Sequence, residues 1–310
     1  MKKILSIIVV IAALLTVVSC GNSPTGNNNG SQQSTPPARK KVGLVLGGGG
    51  AKGAATIGVL KVIEQSGVKI DYIAGTSIGA IIGALYAAGY TSDELIDMFA
   101  NLQWLDLLKA NKIEEKFKNL LADKGVTNFN DLKIPFRCVA SNINTGKDEV
   151  FANGLVATAM RASMSIPPIY KPVEYNNEKY VDGGFLNNLP VDVAKSMGAD
   201  VVIVIDLQQP KEESDFQYVA DIIKKFAIID SVVNMIDLKQ EYKFAFKYFK
   251  TRPDTIKYVQ NKRNADIYIN PQFYPHKFGA ASFGHDNCFL MFDYGKDEGK
   301  KHIAEFQQLQ

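Results

Sequence analysis

Ser77 lies in Gly75-Thr76-Ser77-Ile78-Gly79, between the strand-like "DYIA" and the apolar, helix-like "AIIGALYAAGY". Glycines two residues before and two after a serine, at a strand-to-helix turn, allow a bend sharp enough to expose its hydroxyl. That hydroxyl becomes a nucleophile only where a base accepts its proton. A glycine cluster, Gly47-Gly48-Gly49-Gly50-Ala51-Lys52-Gly53, occupies a second strand-to-helix junction, where backbone N–H groups and the helix dipole favour negative charge. Three chemistries could use it. A phosphate-cradling P-loop would end in Gly-Lys-Ser/Thr, and here Gly53 is followed by Ala54 and Ala55, so that reading fails. A dinucleotide site would use Gly48, Gly50 and Gly53 as G-x-G-x-x-G, with Asp71 as the ribose-binding acid. An oxyanion hole would use the amides of Gly48, Gly49 and Gly50 to hold the charge that develops on a carbonyl oxygen during acyl transfer. Ser77 supplies the nucleophile that the third use requires.

The base has two sources. The chain has three histidines, His276, His285 and His302, all late in the sequence. A Ser, Asp, His order would permit a triad of Ser77, Asp182 or Asp206, and His276 or His285. The stretch "YVDGGFLNNLP" offers another acid site, in which Asp182 follows a strand-like start and Gly183 and Gly184 let the backbone approach a ligand closely. No group of His, Cys and acidic residues has metal-ligand spacing, so no metal or other cofactor is implied. The formal charge of +3, without a long basic block, gives no reason to expect nucleic acid as a partner.

The elements that must position these residues alternate. "VGLVL" and "VKIDYIAG" read as strands, each followed by a helix, and "FRCVAS", "VVIVID" and "ADIYINP" continue the pattern. Apolar strands alternating with helices indicate a parallel sheet covered on both faces. Asp93 and Glu94 after Thr91 mark a helix N-terminus, and "KKHIAEFQQL" reads as a closing helix. Ser163 and Ser165, before Ile166-Pro167-Pro168, suit capping or loop support. Lys52 is either a supporting cation near the acyl or head group or a packed helix residue. Cys138 and Cys288 lie in apolar stretches and read as buried free thiols. Within a long helical stretch from Tyr218 to Lys250, the residues Lys239, Lys243 and Lys247 share one face and Tyr242, Phe246 and Phe249 another, which fits membrane contact or ordinary amphipathic packing. Trp104, Leu105 and Leu108 could form a lipid-facing lid or a packed helix.

The N-terminal residues read differently. Lys2 and Lys3 precede an apolar run from Ile4 to Val18, the pattern of a signal peptide. Val17-Val18-Ser19-Cys20 resembles a bacterial lipobox, after which Cys20 would be lipidated. Residues 21–40 are rich in Gly, Asn, Ser and Pro with no large apolar side chain, so they suit a tether. The expected organisation is a signal peptide over 1–19, a lipidated cysteine and tether over 20–40, and one α/β domain over 41–310. It implies a lipid anchor in the cell envelope, with Gly21 rather than aspartate after Cys20 favouring an outer membrane.

The glycine loop with Lys52, the elbow Gly75 to Gly79, the segment "ASMSIPPIY" and Asp182-Gly183-Gly184 together resemble a bacterial patatin-like phospholipase over about residues 41–207. The resemblance implies a three-layer α/β/α fold with a mostly parallel central sheet. It also implies a Ser/Asp dyad without histidine, in which Ser77 is the nucleophile and Asp182 the general base. The expected activity is hydrolysis of fatty-acyl esters in phospholipids or related lipids, with membrane lipid as substrate. A Ser-Asp-His esterase and a non-catalytic nucleotide- or lipid-binding protein are the competing readings of the same residues.

Overall fold

Val42–Leu46 and Val201–Ile205 are buried at every position, which requires cover on both faces of the sheet they enter. In the computed structural model, which describes residues 39–102, 112–167, 169–209, 239–251 and 254–310, they are adjacent interior strands of that sheet. The strands are β1 (Val42–Leu46), β2 (Tyr72–Thr76), β3 (Phe136–Asn142), β4 (Lys147–Phe151), β5 (Val173–Tyr175), β6 (Glu178–Asp182), β7 (Val201–Ile205) and β8 (Ile267–Ile269). The described helices are α1 (Gly53–Ser66), α2 (Ile78–Ala88), α3 (Ser92–Asn101), α4 (Lys112–Ala122), α5 (Val156–Ser163), α6 (Val191–Ser196), α7 (Gln240–Thr251), α8 (Asp254–Arg263), α9 (His285–Lys300) and α10 (Ile303–Gln307). Pairing runs β5-β6-β3-β2-β1-β7-β8, and β4 also pairs with β3. The contacts among β3, β2, β1, β7 and β8 are parallel, whereas those of β4, β5 and β6 are antiparallel.

Side chains alternate between the faces with the period of a strand. Leu44, Leu46, Ile73, Ile203 and Ile205 join one core with α1, α2, α3, α4, α5 and α9. Val45, Ala74, Val139, Val202 and Val204 join a second core with Val191, Val193 and Ala194 of α6 and with Tyr258 of α8. The result is the expected three-layer α/β/α sandwich with a mostly parallel sheet. Arg39–Gln310 packs as one unit, and Cys138 and Cys288 are both buried and unpaired.

Local chemistry accounts for several boundaries. Thr91 caps α3 by accepting from the Glu94 amide while the Glu94 carboxylate accepts from the Thr91 amide, a complete capping box. β2 starts at Tyr72, later than the apolar "VKI" suggests, because Asp71 accepts a hydrogen bond from the Val42 amide at the edge of β1. The expected closing helix is present as α10, and a further helix, α9, precedes it. Gly295 in α9 reads as a breaker in sequence, yet a Cβ there would lie 2.0 Å from the Ala55 carbonyl oxygen. Its absence lets α9 lie directly on α1. Among the described residues no helix is long and apolar enough to cross a membrane. Residues 1–38, with Cys20, the segment around Trp104, Leu105 and Leu108 read as a lid or a packed helix, and the first part of the stretch from Tyr218 lie outside the described residues.

Candidate active site

The register of the sheet brings the two halves of the site together. β2 ends with Thr76 opposite Val139 on β3, and the next residue of β3, Ala140, is paired with Asp182 of β6. Ala140 is also paired with Glu149 of β4, which takes the other edge of β3. β2 and β6 therefore meet end to end along one edge of β3, one parallel to it and one antiparallel. Ser77 is the first residue past β2, and Asp182 is the last of β6.

Ser77 holds φ 56° and ψ −124°, a conformation that a non-glycine residue adopts only when its surroundings enforce it. The enforcement is visible. The Ser77 amide donates to Ser163 Oγ at 2.9 Å, and Ser163 Oγ donates to the Val139 carbonyl at 2.6 Å, which ties the bend to β3 through α5. Glycines make the bend possible sterically: a Cβ at Gly79 would fall 2.1 Å from the Leu46 carbonyl oxygen, and one at Gly75 would fall 2.5 Å from that of Gly79. Both obstacles are backbone. Gly79→Ala should therefore destabilise the fold by about 3 kcal/mol or more, read as a fall in the urea midpoint at constant slope; an unchanged midpoint would mean that α2 is free to shift.

Ser77 Oγ donates to Asp182 Oδ2 at 2.6 Å. The other carboxylate oxygen, Oδ1, accepts from the Gly184 amide at 2.7 Å, and the Asp182 amide donates to the Ser165 carbonyl at 2.9 Å. Asp182 is only 4% exposed. Burial pushes its carboxyl up to about 6, against the opposing pull of the hydrogen bonds from Ser77 and Gly184. A carboxylate in that state is a stronger base than one in water and still ionised at neutral pH. Gly183 lets the turn after Asp182 press on β3, since a Cβ there would lie 2.2 Å from the Val139 carbonyl oxygen.

The glycine loop runs from β1 to α1 beside the elbow; a Cβ at Gly48 would lie 3.1 Å from the Ser77 Cβ. Its amides are not equivalent. Gly48 donates to the Asn188 carbonyl at 3.3 Å, whereas neither Gly49 nor Gly50 donates to a backbone acceptor among the described residues. Of the expected trio, Gly49 and Gly50 hold the uncommitted donors. Gly50 has φ +58°, and its Cα packs where a Cβ would be 2.3 Å from the Ala280 carbonyl oxygen. Lys52 is buried at the start of α1, and its amide donates to the Gly49 carbonyl at 3.3 Å.

Residues 44–195, which contain the glycine loop, Ser77 and Asp182, match the family described as patatin-like phospholipase. That stretch belongs to the patatin-like phospholipase family. The chain is 33% identical over 191 residues to rat patatin-like phospholipase domain-containing protein 7, covering 55% of this chain and 14% of that protein. It is 35% identical over 180 residues to lysophospholipase NTE1 of Phaeosphaeria nodorum, covering 53% of this chain and 12% of the relative. The chain thus spans under a fifth of the length of these curated relatives. Among solved structures, VipD of Legionella pneumophila is similar at a TM-score of 0.49 and 15% identity, covering 86% of this chain and 67% of that one.

The alternative partners within this patatin-like fold lie elsewhere. His276 Nδ1 pairs with the Tyr294 hydroxyl at 2.8 Å, and exposed His285 pairs with Asp286 at 3.1 Å. Asp206, at the end of β7, accepts from the Tyr268 hydroxyl at 2.6 Å and from the Tyr258 hydroxyl. The geometry thus assembles a Ser77–Asp182 pair and, among the described residues, no Ser-Asp-His triad. Asp71 sits before β2, paired with Arg39 at 2.6 Å, at the opposite end of the strands from the glycine loop. A ribose-binding acid would have to be at the loop end, so the dinucleotide reading loses its acid. Ser163 and Ser165 fit the expected capping and loop support: Ser165 closes the last turn of α5, its hydroxyl donating to the Arg161 carbonyl at 2.6 Å and its amide to that of Ala162, while its own carbonyl holds the Asp182 amide and Ser163 holds the Ser77 amide. Sequence reasoning gave no role to Asn187 or Asn188, both buried, whose contacts reach β2 and the glycine loop. Their signal was adjacent asparagines in an otherwise apolar segment, "FLNNLP".

Proposed function

We propose that this chain is a serine acyl hydrolase that cleaves fatty-acyl esters of phospholipids or lysophospholipids, with Ser77 as nucleophile and Asp182 as general base. The observation that carries the proposal is the 2.6 Å hydrogen bond from Ser77 Oγ to a carboxylate that burial makes basic. As Ser77 Oγ bonds to the ester carbonyl carbon, its proton passes to Asp182 Oδ2, and the carbonyl electron pair moves onto oxygen. Gly49 and Gly50 supply amides for that oxyanion. Collapse breaks the ester C–O bond, and the leaving alkoxide takes the proton from Asp182. Water then attacks the acyl-Ser77 ester, gives its proton to Asp182, and releases the fatty acid as Ser77 regains its hydrogen. The lipid substrate class is supported by the family match over residues 44–195 and by the similarity to lysophospholipase NTE1. Lys52, buried at the end of the loop where α1 starts, would support the site.

The same reading includes an envelope location. Lys2, Lys3, the apolar run to Val18 and Cys20 support export and lipid attachment, so the domain would work at a membrane that presents its substrate.

The pH dependence of kcat/KM on a lysophospholipid tests the proposal. Asp182 must be ionised to accept the Ser77 proton, so activity should be level above about pH 6 and fall about tenfold per unit below it. A profile that rises toward low pH, or no turnover of any acyl ester, would overturn the assignment.

A further inference from the structure

Asn188 is 5% exposed, and a buried amide needs partners for both of its ends. It makes an unusual pair of contacts with one glycine. Its backbone carbonyl accepts from the Gly48 amide at 3.3 Å, and its side-chain Nδ2 donates to the Gly48 carbonyl at 3.4 Å. The side chain also covers the Cα: a Cβ at Gly48 would meet Asn188 Oδ1 at 2.4 Å. Gly48 is therefore held on its N–H, its C=O and its open face by a single residue.

The consequence follows from the peptide bond. The unit joining Gly48 to Gly49 is planar and trans, so its C=O and N–H point in opposite directions. Fixing the Gly48 carbonyl toward Asn188 fixes the Gly49 N–H on the other side of the loop. Without a side chain at either position, that peptide has little intrinsic resistance to rotation. The segment carrying Asn188 is itself anchored. Thr76 Oγ1, on the residue before the nucleophile, donates to the Asn187 carbonyl at 2.8 Å. Asn187 Nδ2 donates to Asp192 Oδ1 at 3.0 Å and to Asp148 Oδ2 at 3.2 Å, and its Oδ1 accepts from buried Asn261 at 3.1 Å. The six residues from Asp182 to Asn187 connect the acid to this anchor, so the base, the nucleophile and the glycine loop share one reference point.

We infer that Asn188 is a positioning residue that locks the Gly48–Gly49 peptide with the Gly49 amide presented to the oxyanion. Asn188 does not touch substrate; it acts through the loop. The inference rests on the acyl-hydrolase reading above, because a locked amide matters only if charge develops beside it. An oxyanion donor strengthens its bond in the transition state, so its loss falls on kcat and leaves ground-state binding alone.

The test is steady-state hydrolysis of a fatty-acyl p-nitrophenyl ester by the full chain and by Asn188→Ala and Asn188→Leu. The leucine variant keeps most of the volume and removes the amide. Each should lose on the order of 10²-fold in kcat, the scale of one oxyanion donor, with KM changed by less than about threefold. An inhibitory trifluoromethyl ketone of the same chain, which mimics the tetrahedral oxyanion, should weaken by the same factor as kcat. A wild-type chain without esterase activity would defeat the acyl-hydrolase reading itself. An active wild type with unchanged kcat in a folded variant, or with the loss borne by KM, would overturn only the role of Asn188. Failure of both variants to fold would make Asn188 part of the scaffold and equally overturn the inference.

Discussion

The Ser77→Ala variant is expected to fold like the parent and to lose ester hydrolysis by a factor on the order of 10⁴ or more, the scale seen when a serine hydrolase loses its nucleophile. The fold should survive because the hydroxyl makes one hydrogen bond, to Asp182, while the bend is held by the Ser77 amide on Ser163 and by packing of Gly75 and Gly79. Ser77→Gly should lose activity equally and gain about 1 kcal/mol or more in stability, since glycine accepts φ 56° without the strain a side chain brings. His276→Ala and His285→Ala should retain full activity, because their rings pair with Tyr294 and Asp286 and not with the serine. Activity assays beside urea unfolding separate these outcomes. An inactive, folded His285→Ala protein would restore the triad, and an active Ser77→Ala protein would remove Ser77 from the chemistry.

Asp182→Asn should be as inactive as Ser77→Ala, yet more stable than the parent at pH 8. The sign follows from proton binding. The folded carboxyl titrates near 6 and the unfolded one near its ordinary 3.8, so between those values the native state holds more protons than the unfolded chain. Stability therefore declines as pH rises through that window and stays at its lower level above it. A shift of this size corresponds to about 3 kcal/mol, the cost of keeping an ionised base in a dry site. Asparagine matches the neutral acid in shape and carries no such cost. Denaturation at pH 4, 5, 6 and 8 should show a declining step in the parent that is missing in Asp182→Asn. Equal pH dependence in the two proteins would mean that Asp182 is not the group perturbed by burial, and would remove the physical basis for its role as base.

These two residues were legible in the sequence because their local backbone demands particular amino acids. A nucleophile on a bend at φ 56° requires small neighbours, and a strand end pressed on another backbone requires Gly183; both needs are written as glycines. β1, β2, β3 and β7 were legible as apolar runs because a sheet covered on both faces leaves no polar alternation. What joins the motifs was not legible. β4, "KDEVF", has three charged residues and two apolar ones, and β5 is three residues long, so neither carries a strand signal of its own. β4 pairs antiparallel with β3 and β5 with β6, and the antiparallel pairing of β6 on β3 that brings Asp182 against the end of β2 is a non-local choice made by the whole sheet. The inequality of Gly48, Gly49 and Gly50 was equally hidden, since it arises from one backbone bond to Asn188 and leaves no mark on residue type. α9 was missed for the opposite reason: Gly295 has the residue type of a helix breaker, but serves close packing against α1.

We propose that burial and a direct hydrogen bond from Ser77 make Asp182 the base for that serine. The most direct test is mass spectrometry of the full chain after brief exposure to a long-chain fluorophosphonate, with the modified peptide located. One adduct per chain is expected, on Ser77, formed at a rate that falls below about pH 6 and absent from folded Asp182→Asn protein in the same time. An adduct that forms equally fast in Asp182→Asn, or one found on another residue, would contradict the proposal.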